Sequence, residues 1–295
     1  MTAAVSRVGP ALALTFNAFT WGVSWWPFRA LQAQGLHPLW ATVLVYGVAL
    51  VAITAWRRGA WGELLRTPSL WPLVLAAGIT NAAFNWGVTV GDVVRVVLLF
   101  YLMPLWAVLL ARALLHEPLT PAAGLRVALA LTGAAIVLWP AAAAPGMAGL
   151  PVPRTLPEWL GVLGGFTFAL NNVLLRREAA QPEAARALAM FLGGAVVAGA
   201  LAVALSGGGR VPLPPAPAAG WMLGALALAG AFLAGNLALQ YGAARLPANA
   251  TAVIMITEVL FAAASAVWLG AGSVTPALAL GGALIVGASL LAGRG

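Results

Sequence analysis

VVRVVLLFYLMPLWAVLLARALL, residues 93–115, holds 23 residues with only Arg95 and Arg112 charged. A helix crossing the hydrocarbon core of a bilayer needs about 20 mostly apolar residues. This stretch meets that need, and it is one of many. Of the 295 residues, 62% are hydrophobic and 7% charged, with a mean hydropathy of +0.97. A soluble domain carries roughly a quarter charged residues. So little charge cannot clothe a water-facing surface, and the chain is read as an all-α membrane protein.

Reading outward from residues 93–115, breakers divide the chain into ten spans: 10–31, 38–56, 69–90, 93–115, 121–139, 156–175, 185–205, 219–241, 247–270 and 275–292. Arg57-Arg58-Gly59, Thr67-Pro68, Gly91-Asp92, His116-Glu117-Pro118 and Gln181-Pro182-Glu183 separate neighbours. Thr120-Pro121 and Thr275-Pro276 read as helix starts, a capping residue followed by a proline that needs no N–H donor there. The run after Arg7 lacks a small-x-small cleavage site, so the first helix is expected to be retained. All 15 basic residues are arginines, and with the N-terminus inside, 11 of them fall on the inner side. The positive-inside rule then places both termini in the cytoplasm. The loops 140–156 and 206–218 lie outside, rich in Pro, Ala and Gly.

The halves resemble each other. Thr120-Pro121-Ala122 and Thr275-Pro276-Ala277 match at an offset of 155, Trp71 and Trp221 at 150, and Asn85 with Asn236 and Gly91 with Gly242 at 151. Helices one to five, residues 10–140, then recur as helices six to ten, residues 156–292, with 141–155 as an external linker. Five is odd, so the second copy runs through the membrane in the opposite sense. Inverted repeats of this kind are an architecture of secondary transporters.

On these features the chain resembles the EamA-type members of the drug/metabolite transporter superfamily. The resemblance spans residues 10–292. It rests on Trp21-Gly22-Val23-Ser24-Trp25, on Tyr101-Leu102-Met103-Pro104, and on Leu114-Leu115-His116-Glu117-Pro118-Leu119-Thr120. The Tyr-Leu-x-Pro stretch is most similar to YddG-type exporters of aromatic amino acids. Two positions depart from the family pattern: Glu258-Val259 stands where a Glu-Pro is common, and Gly272 replaces a loop glutamate. The resemblance implies a bacterial cytoplasmic (inner) membrane protein that exports small metabolites, amino acids and aromatic ones foremost, by alternating access. The alternatives are export of other metabolites or drugs by proton antiport and, from another class, an intramembrane lipid-modifying enzyme.

The candidate substrate-binding residues are the polar and aromatic groups inside the spans. Asn17, Trp21, Ser24 and Phe28 share a face of helix one, spaced by four, three and four. Asn81, Asn85 and Thr89 share one of helix three, beside Trp86. Asn236 and Gln240 share one of helix eight. Asn171 with Asn172 lies in helix six and Tyr101 in helix four. Interhelical hydrogen bonding explains any single one; as a set they point to a polar-lined central cavity. Glu258 stands mid-span, open to three readings: a protonated structural group, a partner for a substrate ammonium, or a proton site. Pro104 is expected to bend helix four, since it removes one backbone bond. Arg29 and Arg95 are expected to snorkel to headgroups, with a gate at Asp92 as the weaker reading.

Other chemistry is excluded or unsupported. There is no cysteine and only His37 and His116, so no metal site is expected. No phosphate-binding G-x-x-x-x-G-K-[ST] loop occurs, and no cofactor is expected. The pI of 11.6 reflects scattered arginines rather than a basic stripe, so nucleic acid is not a partner. The expected partners are a small-molecule substrate and the lipid bilayer, with the chain working as a monomer.

Overall fold

The computed structural model describes residues 8–116, 121–138, 152–243, 245, 254–255 and 257–292. Among these it is helical, without strands. We label the helices α1 (Val8–Val23), α2 (Trp25–Ala33), α3 (Pro38–Trp56), α4 (Gly59–Arg66), α5 (Trp71–Val90), α6 (Val93–Phe100), α7 (Met103–Leu115), α8 (Pro121–Leu138), α9 (Leu156–Arg177), α10 (Glu183–Gly207), α11 (Ala219–Ala243), α12 (Thr257–Trp268) and α13 (Pro276–Ala292). Among the described residues five helical stretches are long and apolar enough to cross a bilayer: Pro38–Trp56, Pro68–Val90, Val93–Leu115, Glu183–Gly207 and Ala219–Leu239.

Several starts follow from local chemistry. Thr155-Leu156-Pro157-Glu158 closes a capping box: the Thr155 hydroxyl accepts from the Glu158 amide, and the Glu158 carboxylate accepts from the Thr155 amide. Pro38 and Pro157 occupy first-turn positions, where a missing N–H costs nothing.

Two spans read as continuous are broken. The first divides at Ser24 into α1 and α2. Pro27 has no N–H to offer the Val23 carbonyl four residues back, so the ladder lapses there. The Ser24 hydroxyl turns back instead to donate to the Trp21 carbonyl at 2.7 Å. The fourth span divides at Tyr101–Leu102, with Pro104 in the first turn of α7. The bend expected from Pro104 thus falls two to three residues upstream, because the bond a proline deletes belongs to the preceding turn.

Packing relies on small residues, since lipid tails compete equally for apolar side chains. α8 and α13 cross at Gly133 and Gly281. A Cβ on Gly133 would stand 2.6 Å from the Gly281 carbonyl oxygen, and one on Gly281 would stand 2.7 Å from that of Gly133.

The contacts between halves come in matched pairs. α1 packs on α11 and α12, as α9 packs on α5 and on α6 with α7. α3 packs on α10, and α8 on α13. Gly91, ending α5, abuts Pro157 at the start of α9, while Gly242 near the end of α11 abuts Pro10 and Leu14 near the start of α1. Gly220, opening α11, lies by Gln34 after α2. Arg29 of α2 reaches the carbonyls at the end of α5. The start of α9 therefore lies on the face where α2 ends, opposite the start of α1.

Candidate functional site

Between the halves lies a cavity of about 140 Å³. That is an order of magnitude above the roughly 10–15 Å³ one water requires. α1, α3, α5, α6, α9, α10 and α11, Met255, and Glu258 of α12 contribute its wall.

Six sequence-derived candidates line it: Asn17, Trp21, Asn81, Asn171, Asn236 and Glu258. Asn17 is held by its amide Nδ2, which donates to the Gly235 carbonyl at 2.8 Å. That contact fixes the amide, leaving the buried Oδ1 without a partner. The buried Asn171 Oδ1 is likewise unpartnered. Asn81 is committed at both ends: Nδ2 donates to the Ala77 carbonyl at 2.8 Å, and Oδ1 accepts from the Tyr46 hydroxyl. Thr80 donates to Thr167 at 2.9 Å, joining α5 to α9.

Glu258 lies in α12, and Ile254 and Met255 just before it are helical as well. The Tyr101 hydroxyl donates to its Oε2 at 3.2 Å. Tyr101 itself is buried and does not line the cavity, so it reaches the site through Glu258. This pairing is available because the α6–α7 break places Tyr101 as the cap of α6.

Other candidates fall elsewhere. Ser24 spends its hydroxyl on the Trp21 carbonyl. Asn85 is fully buried behind the wall, where Nδ2 donates to the Thr42 hydroxyl at 3.1 Å. The equivalence of Asn85 and Asn236 thus does not bring both to the cavity: Asn81, one turn earlier, takes the facing position. Trp86 packs edge-on against His37, ring centroids 5.4 Å apart. The side chain of Gln240 and that of Pro104 lie outside the described residues. Phe28 is buried in the core beside Phe232.

Aromatic rings that the sequence does not single out form much of the wall. Trp21 stacks on Phe232 at 4.5 Å between centroids, Phe84 lies 4.8 Å from Phe100, and Phe100 lies 5.2 Å from Phe168. Tyr46 and Phe191 complete it. In a chain this apolar, a lining phenylalanine has no signature separating it from a lipid-facing one. Tyr46 did carry a signal, a hydroxyl inside an apolar span that needs an acceptor.

Arg29 and Arg95 are both engaged within the protein. Arg29 lies 5.1 Å above the Trp25 ring and donates to the carbonyls of Val88 at 3.2 Å, Thr89 at 3.0 Å, and Gly91. These are orphan acceptors at the end of α5. Arg95 pairs with Glu158 at 2.7 Å, tying α6 to the capped start of α9.

The comparisons with known proteins fall on this architecture. Residues 9–139 match the EamA-like transporter family. That EamA-like stretch supplies α1 to α8 and half of the cavity wall. Over 161 residues the chain is 30% identical to the "Chloramphenicol-sensitive protein RarD" of Pseudomonas aeruginosa, covering 50% of this chain and 54% of that one. The chain thus matches about half the length of that curated relative. A solved crystal structure aligns over 97% of both chains with a TM-score of 0.58 and 21% identity, which speaks to the fold alone. The apolar helices and the EamA-like stretch together make this a multi-pass membrane protein.

Proposed function

We propose that the whole chain is a secondary transporter of the drug/metabolite type, carrying small metabolites across the cytoplasmic membrane by alternating access around this cavity. In this reading ten helical spans cross the bilayer as two inverted repeats, 10–140 and 156–292, with both termini cytoplasmic. The broken pairs α1–α2 and α6–α7 each count as one crossing. Aromatic amino acids are the first substrates to test, following the resemblance of the Tyr101–Pro104 stretch.

The observation that carries the reading is the position of the cavity. It lies between two halves whose contacts come in matched pairs and whose first helices start on opposite faces. Two related bundles meeting at a central site can rock against each other and expose it to either side in turn. The EamA-like match of residues 9–139 supports the transporter class. Aromatic walls with a few buried amides favour a solute with an apolar body and a small polar head.

The test is counterflow of labelled tryptophan into liposomes holding the purified protein, with and without an imposed pH gradient. Accumulation without a gradient is the expected result for a carrier of aromatic amino acids. Uptake only with the gradient favours proton antiport. No counterflow of tryptophan or of any solute in a wider metabolite panel refutes the carrier reading.

A further inference from the structure

Charge in the cavity is lopsided. Glu258 is the only charged side chain among the described lining residues. Asn17 gives one amide N–H to the Gly235 carbonyl, and the Oδ1 atoms of Asn17 and Asn171 are buried away from the cavity space. No described arginine lines the cavity; Arg29 is engaged at the end of α5 and Arg95 at the start of α9. A carboxylate entering here would meet Glu258 and find no described cation. An ammonium would meet a carboxyl group and the faces of aromatic rings such as Trp21 and Phe232, which attract cations.

We propose that the cavity takes a monocationic amine with an aromatic body, its ammonium directed to Glu258, in preference to a zwitterionic amino acid or an anion. This rests on the reading of the cavity as the transport site and narrows its substrate class. Tyr101 is a positioning residue here: its hydroxyl holds Glu258 from behind the wall.

Three probes share one indole body and differ in charge: tryptamine, tryptophan and indole-3-propionate. Their binding to the detergent-purified full chain is measured by calorimetry. Tryptamine is expected to bind at least about tenfold tighter than tryptophan, with the propionate weakest. In Glu258→Gln the gap between tryptamine and tryptophan is expected to shrink to within about threefold. The wild-type ranking stands as a test even if that variant folds poorly. Equal or tighter binding of tryptophan, binding of the propionate as tight as that of tryptamine, or no binding of any probe overturns the proposal. So does a tryptamine preference that survives Glu258→Gln. Counterflow of the same probes separates this inference from the transporter reading. Tryptophan flux without an amine preference sinks only the inference, whereas the expected ranking without flux sinks only the carrier.

Discussion

Replacing Gly133 by alanine adds one methyl group where α8 crosses α13. Its carbon would lie 2.6 Å from the Gly281 carbonyl oxygen and 3.1 Å from the Ile285 amide nitrogen. An ordinary carbon–oxygen contact begins near 3.4 Å. The helices must therefore part by about 0.8 Å at the crossing, because neither opposing atom belongs to a side chain that can swing away. Overpacking of this kind costs about 1–3 kcal/mol. Alanine returns roughly 0.5–1 kcal/mol through its better helix propensity. The net loss is about 0–2.5 kcal/mol, a fall in melting temperature of up to roughly 10 °C at 2–4 °C per kcal/mol. Gly281→Ala meets the reciprocal contact, 2.7 Å to the Gly133 oxygen, and should fall by a similar amount. Gly124→Ala in the same α8 and Gly287→Ala in the same α13 meet nothing within 4 Å, and should hold or gain. Thermal melts of the four variants in one detergent, followed by fluorescence-detected gel filtration, provide the comparison. Neither α8 nor α13 lines the cavity, so probe affinity should be unchanged at a temperature where all four are folded. The reasoning fails if Gly133→Ala melts with Gly124→Ala.

Arg29→Gln should destabilise the protein by about 1–2 kcal/mol, since it strips charged donors from carbonyls at the end of α5; an unchanged melting temperature would show that those bonds add nothing. Asn17→Ala and Asn85→Ala should separate binding from stability. Asn17 lines the cavity, so its loss should weaken ligand affinity, whereas Asn85 lies behind it, so its loss should destabilise the fold by about 1 kcal/mol while sparing affinity. A loss of affinity in Asn85→Ala alone contradicts the geometry. His37, just outside α3, caps that helix by accepting the Leu39 amide at Nδ1, and burial pushes its pKa below 6.5. The folded value lies below the unfolded one, so its contribution to stability is present above about pH 6.5 and is lost as pH falls through the depressed value. In melts taken across that range, His37→Asn keeps a capping oxygen and should flatten this part of the dependence.

Membrane residence was written into the chain, because hydrocarbon tolerates neither charge nor unsatisfied backbone, and residues 93–115 with their like leave few alternatives. The main helices follow from apolar length and proline or threonine breakers, whereas the contacts of Gly91 with Pro157 and of Gly242 with Pro10 belong to the packing. The break at Ser24 was legible in Pro27 and was missed, since hydropathy is blind to a single absent N–H. Composition could not separate cavity from packing. Asn81, Asn85 and Asn236 carry the same amide, and their fates depend on which turn faces the partner half, a rotation set by contacts such as Gly235 under Asn17. The phenylalanine wall is invisible for the same reason, since lipid and cavity select the same side chain. Glu258 was conspicuous as a charge, yet its partner Tyr101 lies 157 positions away and meets it only through the packing of α6 against α12. A one-dimensional pattern records which groups must avoid lipid; only packing in three dimensions decides which of them meet.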